Sequence, residues 1–299
     1  MIPEPDQTGH APFGPLETWY RVTGDLDSDL LPLIVMHGGP GVAHNYTLAI
    51  AELARTGRPV IHYDQVGCGL STHLPERGPD FWTVDLFLDE FENLRGHLGI
   101  DRYHLLGQSW GGMLAAEHAV RQPRELASLV ISNSPASMEL WVAEAHRLRA
   151  DLPPEVRDAL DHHEAAGTTD HPDYLAATQV FYDRHVCRVV PNPPELVASM
   201  EQLNADPTVY HTMNGPNEFF CIGTLRTWSV VDRLDAVRAP TLLCSGRYDE
   251  ATPATVQPFA DRIAGARWEV FEESSHMPFV EEAERYLRVV GDFLAEHDG

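Results

Sequence analysis

Residues 107–111, Gly-Gln-Ser-Trp-Gly, carry the pattern Gly-x-Ser-x-Gly, which places one serine between two glycines. Leu105 and Leu106 precede the pattern as the end of a short apolar strand, and residues 113–116 continue from it as a helix. A sharp turn from strand to helix exposes and aims a serine hydroxyl, as nucleophilic catalysis requires. The pattern therefore predicts that Ser109 is a nucleophile; an ordinary glycine-containing turn is the alternative.

A carboxylate and a histidine follow at the ends of two later predicted strands. Asp249 comes after the run 239–246, and His276 lies on a loop between the run 267–271 and a closing helix. An imidazole can remove the serine proton during attack, and a carboxylate can hold that imidazole in the required tautomer. Serine, acid and histidine occur in this chain order in α/β-hydrolases, so we predict a catalytic triad of Ser109, Asp249 and His276.

An early glycine-rich loop is the candidate for binding the oxyanion that such a reaction forms. The buried strand 31–36 leads directly into residues 37–41, His-Gly-Gly-Pro-Gly. Glycines leave backbone N–H groups unobstructed, and a serine hydrolase uses one such group together with the N–H that follows its nucleophile. We predict that Gly39 and Trp110 form the oxyanion hole. A Gly-Pro turn without a catalytic role would be the better interpretation if no serine motif followed.

Two glutamates are candidates for substrate binding. Glu250 directly follows the predicted triad acid, and Glu218 lies late in a helical region that can cover the site. Two buried carboxylates close together are costly unless a cation joins them, and a substrate's free α-ammonium would be such a cation. Surface charges in an acidic chain are the alternative, and spacing alone leaves both interpretations open.

Several aromatic residues occur near these candidates. They can line an apolar substrate pocket or form the core of the helical region, which is the commoner role. These aromatic residues are Trp110, Phe219, Phe220 and Trp228.

The elements that must position these residues alternate between apolar strands and helices, which predicts an α/β protein with a mainly parallel sheet flanked by helices, the α/β-hydrolase fold. A helix is predicted over 81–98 and another over 282–293. The predicted strands that surround them are 31–36, 59–63, the strand before Ser109, 126–132, 239–246 and 267–271.

Residues 138–228 interrupt this alternation. They contain many prolines and no convincing buried strand, which predicts a helical cap inserted into the sheet domain. We therefore divide the chain into a first part of the core at 1–137, a cap at 138–228 and a second part of the core at 229–299.

Composition excludes several kinds of function. A net charge of −24 would repel phosphates, so neither nucleic acid nor an anionic membrane is an expected partner. No apolar run approaches the ~20 residues of a membrane helix, and no secretory signal is visible, so a cytoplasmic protein is expected. The small-molecule substrate of a hydrolase is the expected partner, and the oligomeric state stays open.

Neither a metal nor a cofactor is expected. The four cysteines are widely spaced without a CxxC pair, which favours free thiols, and Cys68 in the glycine-rich run 64–71 is interpreted as a packing residue. The histidines of residues 162–164 and 170–171 lack the spacing of a helical metal motif, so they are interpreted as polar loop residues.

Taken together, five segments resemble the proline iminopeptidase family, which includes tricorn-interacting aminopeptidases and L-amino acid amidases. The resemblance covers nearly the whole chain from about residue 12. Residues 213–219 and the Asn45-Tyr46 pair are most similar to the amidase and tricorn-interacting branch, and Val66 and Leu70 stand where many members have arginine. The five segments are 37–41, 63–69, 107–112, 246–250 and 275–278.

The resemblance implies a serine hydrolase that releases an N-terminal residue, proline or another small apolar one, from short peptides or amino acid amides. It also implies that Glu218 and Glu250 hold the substrate's amino group. An amidase that releases ammonia, and a carboxylesterase or lactonase in which the glutamates are incidental, are the alternatives. A ligand receptor on the same fold would be expected to have a broken triad, and all three residues are present.

Overall fold

Eight strands form a single sheet in a computed structural model of the protein, which describes residues 2–299. In chain order the strands are β1 (Gln7–Phe13), β2 (Leu16–Thr23), β3 (Leu33–Met36), β4 (Val60–Tyr63), β5 (Tyr103–Gln108), β6 (Leu126–Ser132), β7 (Thr241–Gly246) and β8 (Arg267–Phe271). Their order across the sheet is β1-β2-β4-β3-β5-β6-β7-β8. The six strands β3 to β8 are parallel to one another, whereas β1 and β2 pair antiparallel with their neighbours. The predicted mainly parallel sheet is therefore confirmed.

The register of the parallel strands brings their carboxyl ends to one edge of the sheet. Met36 pairs with Gly107 across β3 and β5, and Gln108 pairs with Ser132 across β5 and β6. Gly246 at the end of β7 pairs with Phe271 at the end of β8. Loops that leave β3, β5, β6, β7 and β8 consequently meet at this edge, which is where open α/β sheets bind ligands.

The first two strands form a hairpin that the sequence analysis did not predict. Gly14, with φ +60°, lies in the turn between Phe13 and Leu16, a conformation that glycine adopts without strain. Strand β1 lies at the sheet edge and most of its side chains are exposed or half-buried. Its sequence therefore lacks the apolar alternation that would mark a strand.

Ten α-helices flank or cover the sheet within residues 2–299. They are α1 (Val84–His97), α2 (Trp110–Ala119), α3 (Met138–Ala150), α4 (Pro154–Ala166), α5 (Pro172–His185), α6 (Pro194–Ala205), α7 (Thr208–Met213), α8 (Pro253–Arg262), α9 (Pro278–Glu281) and α10 (Ala283–Ala295). Three 3-10 helices occupy Asn45–Thr56, Thr224–Thr227 and Val231–Ala236. None of the helices in the described part of the chain is long and apolar enough to cross a membrane.

Local signals explain where the predicted helix before the serine motif begins. The helix was expected over 81–98, but α1 starts at Val84, because Thr83 has extended backbone angles and its side chain accepts a hydrogen bond from the N–H of Leu86. An N-cap threonine satisfies one of the unpaired donors of the first turn. The apolar face of α1 buries Phe87, Phe91 and neighbouring residues against the sheet.

Helices α3 to α7 all lie between β6 and β7, and no strand interrupts them. An isolated antiparallel bridge joins Ser137 to Ser229, so the two ends of this helical segment lie side by side. Part of the segment has a separate buried cluster that contains Leu160, Tyr174 and Phe181. Other residues of the segment, such as Leu196 and Met213, belong to the buried clusters that contain the strands of the sheet.

Candidate active site

Ser109 lies at the turn between β5 and α2, with backbone angles φ 55° and ψ −123°. This conformation is strained for a non-glycine residue and is retained where surrounding structure enforces it. A Cβ atom on Gly107 would lie 2.1 Å from the carbonyl oxygen of Gly111, and one on Gly111 would lie 2.0 Å from that of Met36. The two glycines are therefore required for the close packing of strand and helix that holds the turn.

The predicted acid and histidine form a direct hydrogen bond. Nδ1 of His276 lies 2.7 Å from Oδ1 of Asp249, and both side chains are buried. The same carboxylate accepts a hydrogen bond of 2.8 Å from the N–H of Ala251 and one of 2.6 Å from the amide of Asn133. These bonds fix the carboxylate and leave Nε2 of the imidazole for proton transfer.

The electrostatic surroundings of His276 favour its protonated form. Burial by itself lowers the pKa of the imidazole, but the negative charge of Asp249 and its hydrogen bond raise it, and Glu218 adds to this effect. The resulting pKa lies above the ordinary value for histidine. An imidazole with a raised pKa accepts a proton more readily, as a general base must.

The loop after β3 is held beside the serine by a chain of hydrogen bonds. The hydroxyl of Tyr46 accepts a bond of 2.6 Å from the N–H of Gly38 and donates to the side-chain carbonyl of Gln108. The amide of Gln108 in turn donates to the carbonyl of His276 at 3.2 Å. Gly39 has φ +115°, a conformation that favours glycine. Its loop is thereby connected with both the serine and the histidine loops.

The glycine-rich run 64–71 contacts both the loop after β3 and Trp110 through Gln65. Gln65 donates from its side chain to the carbonyl of His37 at 3.0 Å and accepts a bond of 2.8 Å from the indole N–H of Trp110. Nε2 of His37 accepts a bond from the N–H of Gln65, which assigns the Nδ1–H tautomer. Burial lowers the pKa of His37 to about 4, consistent with a neutral ring. Cys68 is buried nearby, and burial raises the pKa of its thiol.

Six of the seven predicted site residues lie at two adjoining cavities above the sheet edge, and the seventh supports them from below. Gly39, Ser109 and Glu218 line both cavities, whereas Glu250 and His276 line the larger one and Trp110 lines the smaller one. Asp249 lies behind His276, 1% exposed. The structure thus brings together all the residues that the sequence analysis placed in one site.

The two glutamates are close to the imidazole but differ in their partners. Oε1 of Glu250 lies 3.8 Å from Nε2 of His276, and neither carboxylate oxygen of Glu250 has a hydrogen-bond partner, although the residue is only 2% exposed. Glu218 accepts a hydrogen bond of 2.5 Å from the hydroxyl of Tyr210. Burial raises the pKa of both glutamates, and the neighbouring charge of Glu218 raises that of Glu250 further. Burying two carboxylates this close together is costly unless a cation joins them.

The aromatic candidates divide between the two roles that the sequence left open, lining a pocket and packing in the core. Of the four candidates, Trp110 lines the smaller cavity, together with Trp141. Phe219 packs into the helical cluster beneath the guanidinium of Arg149, and the indole N–H of Trp228 donates to Glu117. Phe220 packs against the same cluster as Phe219, and Trp228 packs against the cluster of the sheet, so these three rings line neither cavity.

Two groups of side chains have donor atoms close enough together to bind a metal ion, His37 with Asp64 and Cys68, and His163 with His171 and Asp173. Both ring nitrogens of His37 already have hydrogen-bond partners. Residues 162–164 lie on α4 and not on the loop that the sequence analysis expected, and Nδ1 of His163 bonds the hydroxyl of Thr168 at 2.8 Å. We assign a metal to neither group.

Sequence reasoning missed the residues that support the triad. Asn133 follows β6 directly and has φ 52°, a backbone conformation that asparagine tolerates better than most residues. Asn133 could have been identified from the sequence, because it is a polar residue at the carboxyl end of the strand beside β5. Tyr46 entered the sequence analysis only through the family resemblance, and its role depends on where a 3-10 helix directs the ring.

Known proteins resemble this chain in both sequence and fold. The model of the alpha/beta hydrolase fold family matches residues 32–283. The proline iminopeptidase of Lactobacillus helveticus (strain DPC 4571) is 39% identical over 97% of this chain and 98% of its own length. The crystal structure of the proline iminopeptidase of Mycobacterium smegmatis superposes with a TM-score of 0.92 at 59% identity, covering 98% of this chain and 99% of that one. The crystal structure of VinJ gives a TM-score of 0.97 at 55% identity, covering 98% and 100%.

The chain therefore belongs to the α/β-hydrolase fold family. Within that fold family it belongs to the proline iminopeptidase family, since relatives of that name align with it over nearly its full length. The fold class and the family resemblance predicted from the sequence are both confirmed.

Proposed function

We propose that the protein is a serine aminopeptidase that releases N-terminal proline, or another small apolar residue, from substrates with a free α-amine. The observation that carries this proposal is the carboxylate of Glu250, which is buried in the cavity wall with both oxygens unpartnered. A buried carboxylate without a partner is expensive, and a substrate ammonium ion would satisfy it. The names of the relatives support proline as the released residue.

In the proposed reaction, His276 removes the proton from Ser109 as the hydroxyl attacks the carbonyl carbon. Asp249 holds the imidazole by its 2.7 Å hydrogen bond and stabilises the charged form. The N–H groups of Gly39 and Trp110 receive the developing oxyanion, and each such donor is worth ~3 kcal/mol. The C–N bond then breaks, the leaving nitrogen takes its proton from His276, and water hydrolyses the acyl-enzyme.

We propose further that residues 138–228 act as a cap over this site, with the sheet domain formed by 1–137 and 229–299. The cap would supply Glu218 to the amine site and the outer wall of the larger cavity. Exclusion of water by such a cover strengthens the attraction between the glutamates and an ammonium ion.

The experiment compares L-proline 4-nitroanilide with its N-acetyl form in the wild-type enzyme and in Ser109→Ala, Glu250→Gln and Glu76→Gln. We expect hydrolysis of the free amine only, and none in Ser109→Ala. Loss of a buried charge partner costs roughly 2 kcal/mol or more, so Glu250→Gln should lower kcat/KM at least about 30-fold. Glu76 is largely exposed, and Glu76→Gln should behave as wild type.

Equal rates for the free and acetylated substrates would refute amine recognition. Hydrolysis of neutral esters that does not change in Glu250→Gln would instead identify the protein as an esterase of the same fold.

A further inference from the structure

The larger cavity continues outward from the serine as an apolar passage. Its volume is about 360 Å³. Beyond Ser109 its wall is formed mainly by apolar residues of α6, of the segment before it and of the histidine loop, and α5 contributes Gln179 and Tyr182. The apolar residues are Val186, Leu196, Val197, Met200, Leu203 and Met277, and the polar residues on the same elements are Asn192, Glu201 and Asn204. Val197 is 42% exposed and marks where this passage reaches the surface.

The position of the histidine decides which part of a substrate enters each cavity. His276 and Met277 line the larger cavity and not the smaller one. Because the leaving nitrogen must receive its proton from His276, the leaving group enters the larger cavity beside the substrate amine, which the proposed function places at Glu250 in the same cavity. The smaller cavity also contacts Gly39 and Ser109 and is walled by apolar side chains such as Trp141, but its volume of about 10 Å³ admits only part of the side chain of the released residue.

The charges along the larger cavity disfavour a leaving group that ends in a carboxylate. Glu201, Glu218 and Glu250 are among its lining residues, and no arginine or lysine is. The sequence contains no lysine at all. The C-terminal carboxylate of a dipeptide would therefore lie near acidic groups without a compensating cation.

We propose that this cavity selects a neutral, extended and apolar leaving group, so that the preferred substrates are aminoacyl amides of long alkyl or aryl amines and not short peptides with a free carboxylate. This inference rests on the proposed function, since it concerns the other half of the same substrate. Each methylene group of the leaving group that the passage buries removes apolar area from water. This burial raises kcat/KM at most about four-fold per methylene.

The first test measures kcat/KM for prolinamide and for its N-methyl, N-butyl and N-hexyl derivatives. We expect a rise of at least about ten-fold from methyl to hexyl. A parallel comparison of prolyl-leucine with prolyl-leucinamide should favour the neutral amide. A flat series, or equal rates for the two prolyl-leucine compounds, would overturn the inference while leaving the aminopeptidase proposal intact. Failure to hydrolyse any of the compounds would overturn the aminopeptidase proposal itself.

The second test uses variants of the passage. Met200→Gln and Val197→Asn make its wall polar, and we expect the hexyl-to-methyl ratio to fall several-fold in both. Leu175→Asn is the matched control, because Leu175 is 55% exposed on α5 and does not line the cavity. It should keep the wild-type ratio. Glu201→Gln should improve kcat/KM for prolyl-leucine relative to prolyl-leucinamide. Unchanged ratios in the two passage variants would refute the assigned location of the leaving group.

Discussion

Asn133 supports the carboxylate of Asp249, the proposed triad acid, through one short contact. Its amide donates to Oδ2 of Asp249 at 2.6 Å, while Oδ1 of the same carboxylate bonds His276 at 2.7 Å. A hydrogen bond to a charged group is worth roughly 1.5–3 kcal/mol. Asn133 does not line either cavity, so it acts by positioning Asp249 and not by touching the substrate.

Replacement of this amide should therefore reduce catalysis without altering substrate binding. We expect Asn133→Gly to lower kcat about ten-fold or more with little change in KM, because glycine accepts the positive φ but offers no donor. The acid limb of the pH profile for kcat/KM should also move, since a less restrained Asp249 alters the raised pKa of His276. Steady-state kinetics across pH on L-proline 4-nitroanilide measure both effects. A change in KM alone would contradict the positioning role.

Helix α9 connects the histidine loop with the helical segment through Glu281. Its carboxylate accepts hydrogen bonds of 2.7 Å from both the N–H and the hydroxyl of Ser275, the residue before His276. It also accepts a bond of 2.8 Å from the N–H of Arg188, which belongs to the segment between α5 and α6. One short helix thus fixes the histidine loop and the adjacent part of the outer layer at the same time.

Removing the negative charge of Glu281 should weaken its contacts with Ser275 and with Arg188. We expect Glu281→Gln to lower the free energy of unfolding by roughly 1–3 kcal/mol and kcat/KM several-fold, since an amide can accept only some of these bonds. Glu284→Gln is the control, because the side chain of Glu284 is 97% exposed. Urea denaturation and kinetics on the same preparations test the expectation. Equal stability of the two variants would show that the Glu281 contacts contribute little.

Glu90 joins three parts of the molecule from within the core. The hydroxyl of Thr18 on β2 donates to it at 2.6 Å, and the N–H of Val66 in the run 64–71 donates at 2.9 Å, while Glu90 itself lies on α1. Burial raises the pKa of Glu90 to about 8; the two hydrogen bonds oppose this effect and the charge of Asp64 adds to it. The N-terminal hairpin is therefore coupled to the helix layer and to the loop that supports the site.

This raised pKa makes the stability of the whole molecule depend on pH. The folded state holds a proton on Glu90 that the unfolded chain releases near pH 4.5. Its contribution to stability is therefore complete below about pH 4.5 and is lost as the pH rises through about 8. Glu90→Gln imitates the protonated side chain, so we expect it to be more stable than wild type at pH 8.5, by roughly 1–4 kcal/mol.

Urea denaturation between pH 5 and pH 8.5 measures this difference. Asp89→Asn is the control on the same helix, since Asp89 is exposed. The decline in stability toward high pH should be smaller in Glu90→Gln than in either wild type or the control. Parallel declines in all three proteins would show that Glu90 is already ionised in the folded state.

The sequence by itself determined the parallel strands, the serine motif and the chain order of Ser109, Asp249 and His276. These features are local, because buried strands read as apolar runs and the turn at Ser109 needs glycines at fixed positions. The resemblance to the family followed from such short segments. Strand β1 escaped detection, since an exposed edge strand carries little apolar pattern.

Only the tertiary structure decided which of these residues meet and what supports them. The contacts of Asn133 with Asp249, of Tyr46 with Gln108 and of Glu281 with Arg188 join residues that are distant in sequence, and no local pattern encodes them. Whether Glu250 was a surface charge or a buried one also depended on packing, because spacing is the same in both cases. Burial and orientation arise from the assembly of the sheet with its helical layer, and the chemistry of the site depends on both.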